Sequence, residues 1–277
     1  RAIRELRRVD LLLVGGGGLF NDYWPLLIPR YLAWIIAARI AGARVAWLGV
    51  GVGPIRRRPW RWLTRLAAQL SDRVLVRDAS SAELLGGPSA RVSVIPDPAL
   101  FVPLPGERQP EPILGLIVRG PVHDDEARAT GLVELLGEAA AAGRSAGLEA
   151  RVLVMAPSAD RAYHLGRAGD RPPVIALGPT AAELGRQLGA LQASVSVRLH
   201  GVLLSALAGV PCVPIAYDDK VSLAAEQLGI GDLVLHPWRG ARESPADRLA
   251  AARDPARVRA VAERVFGLRA QAEAVRG

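Results

Sequence analysis

The residues best placed to do chemistry lie between Ser194 and Val221. The run Ser194-Val195-Ser196-Val197-Arg198-Leu199-His200-Gly201 leads through Gly209-Val210-Pro211 to Tyr217-Asp218-Asp219-Lys220-Val221. Arg198 and His200 fall where an apolar strand should give way to a helix. A histidine at a helix N-terminus meets a dipole that opposes imidazolium charge, which suits a ring exchanging protons near neutral pH. The next strand delivers Tyr217 and Lys220 to the same end of the sheet. Lys220 is the single lysine in a chain with thirty-four arginines. A guanidinium is wider and stiffer than a rotatable ammonium, so a lone lysine in an arginine-rich chain marks a position where arginine would not serve. The competing reading is one lysine persisting by chance on a solvated loop. Arg119 ends another apolar strand, Gly115-Leu116-Ile117-Val118-Arg119-Gly120-Pro121. A charge there needs a partner, and its fork matches a carboxylate or phosphate. Arg, His and Lys converging on one rim point to an anionic substrate, with Arg119, His200 and Lys220 as catalytic candidates and Arg198 and Tyr217 as binding candidates.

Three further segments sit at predicted strand ends. Val14-Gly15-Gly16-Gly17-Gly18-Leu19-Phe20-Asn21-Asp22 follows a strand and precedes a helix. Glycines there let backbone N–H groups face an anion, helped by the helix N-terminus. Gly16, Gly17, Gly18, Asn21 and Asp22 are therefore binding candidates; a tight packing turn is the alternative. The run is neither GxGxxG nor a Walker A loop. Gly49 to Pro54 alternates glycine with valine, which fits a backbone passing close to another group. Arg77-Asp78 precedes a helix and reads as a local ion pair ordering a turn.

These loops need a frame. Strands are predicted at 11–14, 44–48, 73–76 and 92–95, with helices at 26–41, 60–70 and 81–85. Ser80/Glu83 stand at capping-box spacing. Pro103 to Pro112 is a proline-rich break. The alternation then restarts, with strands at 113–118, 150–155, 174–177, 193–197 and 212–216. Helices are expected at 124–142, from the Thr180/Glu183 cap to about 192, at 199–208 and at 255–275, with a short helix in the loop after Met155. This predicts an α/β protein of two Rossmann-like domains facing a cleft, residues 1–104 and 113–250, with a helical tail at 251–277. Because Arg1–Arg8 reads as a helix with no strand before it, the N-terminal domain is expected to be truncated.

Composition excludes several classes. The charge of +8 comes from dispersed arginines, and without a basic–aromatic stacking face or zinc-ligand spacing, nucleic acid is not an expected partner. Half the residues are apolar, enough for a sizeable core. Ala, Leu, Val, Gly and Arg dominate, the usage of a high-GC bacterial genome. One cysteine, Cys212, permits no intrachain disulfide and reads as a small core residue, in keeping with a cytoplasmic protein. Residues 26–43 contain Pro29, Arg30 and Arg39 and read as a buried helix, not a membrane span. His123, His164 and His236 read as surface residues, and no metal site is expected. Arg56-Arg57-Arg58-Pro59-Trp60-Arg61-Trp62 suits peripheral contact with an anionic membrane; a solvated amphipathic face is the alternative.

Taken in order, the Gly15–Asp22 loop, Gly49–Pro54, Arg77-Asp78 with Ser80/Ser81, Asp97-Pro98-Ala99, Arg119 and the run from Arg198 to Val221 resemble the polysaccharide pyruvyl transferase family across most of residues 10–230. The resemblance implies a GT-B-type fold. It implies transfer from phosphoenolpyruvate to a sugar of a cell-surface polysaccharide or its lipid-linked precursor, forming a pyruvate ketal in the cytoplasm, at the inner face of the membrane where the acceptor is lipid-linked. Phosphoenolpyruvate would be a co-substrate, with no further cofactor. Arg119, His200 and Lys220 match the family's essential Arg, His and Lys. The family's usual opening strand and Gly/Asn/Asp-Glu loop have no counterpart here. Rival expectations are a GT-B glycosyltransferase using a nucleotide sugar, and a non-catalytic glycan-binding paralogue. The acceptor sugar and the oligomeric state have no signature in the sequence.

Overall fold

The computed structural model describes residues 5–104, 107–119, 126–156, 172–237 and 244–274. The loop after Met155, with His164, and the segment holding Gly120, Pro121 and His123 lie outside the described residues, as do Arg1–Arg4. The chain divides into two compact units, residues 1–98 with 269–277, and residues 99–268.

The first unit carries β1 (Leu11–Gly15), β2 (Gly18–Phe20), α1 (Leu27–Ala41), β3 (Arg44–Val52), α2 (Arg58–Gln69), β4 (Arg73–Val76), α3 (Ala79–Leu85) and β5 (Val92–Val94). Its strands are parallel, in the order β1-β3-β4-β5, with β2 also on β3. Alternating burial along β3 and β4 places Val45, Trp47, Val74 and Val76 in the core, where Trp47 stacks on Phe20 at 4.5 Å. Two local expectations change. The capping residue of α3 is Asp78, whose carboxylate accepts from Ser81 N at 2.7 Å, so the helix begins at Ala79 and Ser80 donates to that same carboxylate. Aspartate two residues ahead of serine reaches the free N–H first. The predicted loop at Gly49–Pro54 is instead mostly strand, because β3 runs on to Val52 past a register shift at Gly49.

The second unit carries β6 (Glu111–Val118), α4 (Glu126–Ser145), β7 (Glu149–Val154), β8 (Val174–Ala176), α5 (Ala181–Gly189), β9 (Leu191–Ser196), α6 (Leu199–Leu207), β10 (Cys212–Pro214), α7 (Asp219–Gln227) and α8 (Pro245–Ala252). A last helix, α9 (Pro255–Ala274), follows. The strands are all parallel, in the order β10-β9-β6-β7-β8. The chain therefore builds outward from β6 through β7 to β8, then returns to place β9 on the other side of β6. Parallel strands covered on both faces read as continuous apolar runs, and β6 is buried from Ile113 to Val118. The capping box at Thr180/Glu183 forms as predicted, with Glu183 N donating to Thr180 Oγ1 at 3.2 Å. Helix α7 was not expected; its aspartate-led start at Asp218-Asp219 looks like a turn in sequence.

Candidate functional site

In an open α/β sheet the two loops at a reversal of strand order diverge, leaving a crevice beyond the carboxyl ends of the strands. In the second unit that reversal lies between β6 and β9, and the predicted catalytic residues stand around it. Ile117 of β6, Ser196 of β9 and Pro214 of β10 are in register across the sheet. Neighbouring strands are about 4.8 Å apart, so the residues just beyond this row, Arg119, Arg198 and Tyr217, issue from adjacent strand ends.

Local packing explains how the histidine reaches this rim. Ser196 Oγ accepts from Arg198 N at 3.2 Å and donates to Arg198 O at 2.9 Å, turning the chain sharply into α6. A Cβ at Gly201 would collide with Ser196 Oγ and Ile117 Cγ2. Glycine there lets the first turn of α6 press onto the sheet, which holds His200 in that turn, half-buried. Arg198 donates from Nε to Val118 O at 3.0 Å, bridging the ends of β9 and β6 beside Arg119.

Tyr217 organises the cations. The Arg119 guanidinium lies over its ring, 4.6 Å from the centroid, and Arg119 Nη1 donates to the Tyr217 hydroxyl. Lys220 Nζ stands 5.3 Å from the same centroid. Aromatic faces attract cations, the more so when partly desolvated. Asp218 caps α7, accepting from Lys220 N at 3.3 Å, while its other oxygen holds Lys220 Nζ at 2.8 Å. One short carboxylate thus fixes both the helix start and the ammonium, an arrangement a point cation fits better than a planar fork. Arg119, Tyr217 and Lys220 are joined by contact; His200 and Arg198 share their rim through β9.

The glycine run of the first unit differs from expectation. Leu11 to Gly15 pairs with Arg44 to Leu48, and Gly18 pairs with Gly51 at the same offset. β1 and β2 therefore continue one strand line along β3. Gly16 and Gly17 form the bend between them, with φ of 79° and 76° that other residues rarely adopt. Helix α1 starts only at Leu27, so no helix N-terminus backs the glycines. Buried Asn21 holds the following loop, donating to Gly18 O at 2.7 Å and accepting from Tyr23 N and Trp24 N at 3.0 Å. Asp22 accepts from Arg56 N.

Nearby, Arg77 does more than order a turn. Arg77, only 9% exposed, pairs with Asp97 at 3.3 Å and Asp78 at 3.6 Å. Its guanidinium covers Gly51, where a Cβ would lie 2.7 Å from Nη2, and the Pro98 ring covers Gly49. The alternation of glycine with valine in β3 is therefore a packing signal. Burial pushes the Cys212 thiol up to about 11, although Ser194 and Ser205 hydrogen-bond to it. His236 is half-buried. Among the described residues no helix is long and apolar enough to cross a membrane.

The family model for polysaccharide pyruvyl transferase matches residues 1–219. No curated protein matches the chain. Among solved structures, the fold resembles UDP-GlcNAc 2-epimerase from Methanocaldococcus jannaschii in complex with UDP-GlcNAc and UDP, with TM-score 0.57 and 12% identity over 96% of this chain and 79% of that one. It also resembles the α,α-trehalose 6-phosphate synthase of Burkholderia multivorans (TM-score 0.54, 14% identity, 99% and 74% covered). A third is the glycotransferase of kitacinnamycin (TM-score 0.51, 16% identity, 98% and 76% covered). At such identities the likeness is one of fold, that of GT-B glycosyltransferases and epimerases.

Proposed function

We propose that this chain, which belongs to the polysaccharide pyruvyl transferase family, moves a pyruvyl group from phosphoenolpyruvate to a sugar of a cell-surface polysaccharide or its lipid-linked precursor. The observation that carries the reading is the cluster of Arg119, Tyr217 and Lys220 beside the β6/β9 reversal, with His200 on the same rim. The donor bears a carboxylate and a phosphate, about three negative charges near neutral pH, which suits a cationic rim.

Each side chain has a step. Arg119 pairs with the donor carboxylate or phosphate through its fork. A sugar hydroxyl oxygen bonds to C2 of the donor while the methylene carbon gains a proton, giving a tetrahedral ketal-phosphate. His200 takes the hydroxyl proton and returns one to the donor. A second sugar hydroxyl then bonds to C2 and gives its proton to the departing phosphate as the C2–O bond breaks, so inorganic phosphate leaves. Lys220 offsets the charge that gathers on that phosphate. Arg198 and the Tyr217 ring position the cations. Gly16, Gly17, Gly18, Asn21 and Asp22 line the acceptor side.

The test is product analysis. Incubation with phosphoenolpyruvate and glycan acceptors should release inorganic phosphate in step with acceptor pyruvylation. Release of UDP or GDP from nucleotide sugars, with none of phosphate from phosphoenolpyruvate, would replace this reading with glycosyl transfer. Phosphoenolpyruvate binding without turnover would make the chain a binding paralogue.

A further inference from the structure

The arginines are dispersed along the chain, but the acidic residues that offset them are not. Of 35 basic residues, eight lie between Tyr23 and Leu70, a stretch with no aspartate or glutamate; the other 27 are matched by 27 acidic residues. The net charge of +8 thus resides in that one segment. It also carries the four most exposed large apolar side chains of its unit: Leu26 at 77%, Trp24 at 69%, Ile40 at 67% and Trp62 at 63%.

Five of the eight, Arg56, Arg57, Arg58, Arg61 and Arg65, fall on α2 with Trp62 or on the loop before it, beside the loop that carries Trp24 and Leu26. Asp22 N donates to Pro54 O at 2.9 Å, Gly53 N to Phe20 O at 2.7 Å, and Arg56 N to the Asp22 carboxylate, so the loop before α1 and the loop before α2 run side by side. Asn21 fixes the first of these by accepting from Trp24 N, which presents Trp24 outward on an ordered turn. On α2 the exposed positions 58, 62, 65 and 69 recur at helical spacing, so Trp62 stands between Arg58 and Arg65 on one face. Indoles lodge at the headgroup level of a bilayer, and guanidiniums are drawn to anionic lipid.

We propose that the Trp24–Leu26 turn and the outward face of α2 dock on an anionic lipid bilayer. An acidic protein would meet the arginines but calls for no indoles, and single-stranded nucleic acid, which does stack on indoles, is held in a groove that tracks its backbone, whereas Trp62 and its arginines stand on the outward face of one helix. This inference needs no pyruvyl transfer and stands or falls without it.

The experiment is sedimentation with vesicles of phosphatidylglycerol and phosphatidylcholine in equal parts, against phosphatidylcholine alone, without phosphoenolpyruvate. The chain should bind the anionic vesicles and be released by salt. Arg57→Gln/Arg58→Gln should bind about thirtyfold more weakly, about fivefold per charge. Trp24→Ala/Trp62→Ala should also bind more weakly, and the loss should persist at raised salt. Both pairs are exposed and should keep the wild-type circular dichroism. Equal binding to both vesicle types, no binding to either, or binding unchanged in either variant overturns the proposal. So does single-stranded DNA that displaces the chain from vesicles and binds it in a tryptophan-dependent way.

Discussion

The two units place arginines beyond parallel strands in opposite ways. In the first, Arg77 is buried, paired with Asp78 and Asp97, and closed over Gly51. In the second, Arg119 and Lys220 are half-buried and flank an aromatic ring, with Asp218 as the carboxylate on the lysine. Strand order separates the two rims. Among the described residues β1-β3-β4-β5 runs without reversal, whereas the second sheet reverses between β6 and β9. A reversal opens a crevice that cations can face; without one, an arginine at a strand end is drawn into the packing and must be neutralised there. An arginine after an apolar strand is thus ambiguous in sequence until strand order is known.

The comparison is tested most strongly through Arg77. Arg77→Ala leaves buried Asp97 without its guanidinium and should destabilise the first unit by about 3–5 kcal/mol in denaturant titrations. A change under about 1 kcal/mol would make Arg77 the counterpart of Arg119. His200→Ala should leave stability near wild type and lower turnover at least about a hundredfold; near-wild-type kinetics would remove the proton-transfer role. Gly201→Ala adds a methyl against Ser196 and Ile117. It should destabilise by about 1–3 kcal/mol and cost turnover through His200, so unchanged melting and activity would show that α6 does not need that approach. The smallest effect concerns Cys212. With its thiol raised from 9.0 to about 11, the native thiolate fraction at pH 8 is roughly a hundredfold below that of the unfolded chain, and labelling by an aromatic disulfide should slow accordingly. The unfolded chain loses this proton first, so the linked stability is present below pH 9 and declines as pH rises toward 11. Fast native labelling would show β10 open to solvent.

Much of this was legible in the sequence. Apolar runs bounded by glycine, proline and capping residues marked nine of the ten strands among the described residues within a few residues, because burial on both faces leaves a dense signal. β2 escaped, since three residues after a glycine run carry no periodicity. The Ser196-to-Gly201 motif was legible as a junction, and the structure supplies its cause in the approach of α6 to Ile117. The role of Tyr217 was not legible: a ring joining two cations ninety-eight and three residues away depends on β6 and β10 ending on the same side of the sheet. What stands behind the glycine loop was not legible, because glycines before a helix pattern look alike whether a helix N-terminus backs them or they bend a strand line. Only pairing with β3 distinguishes the two.

Under the proposed function the rim at the β6/β9 reversal holds an anionic donor, and position 220 requires an ammonium. Calorimetric titration with phosphoenolpyruvate tests it most directly. Wild type should bind, and Lys220→Arg should lose at least about tenfold in affinity despite its retained charge, since a fork cannot replace the point contact beside Asp218. Undiminished binding by Lys220→Arg, or by Arg119→Gln, would contradict the account.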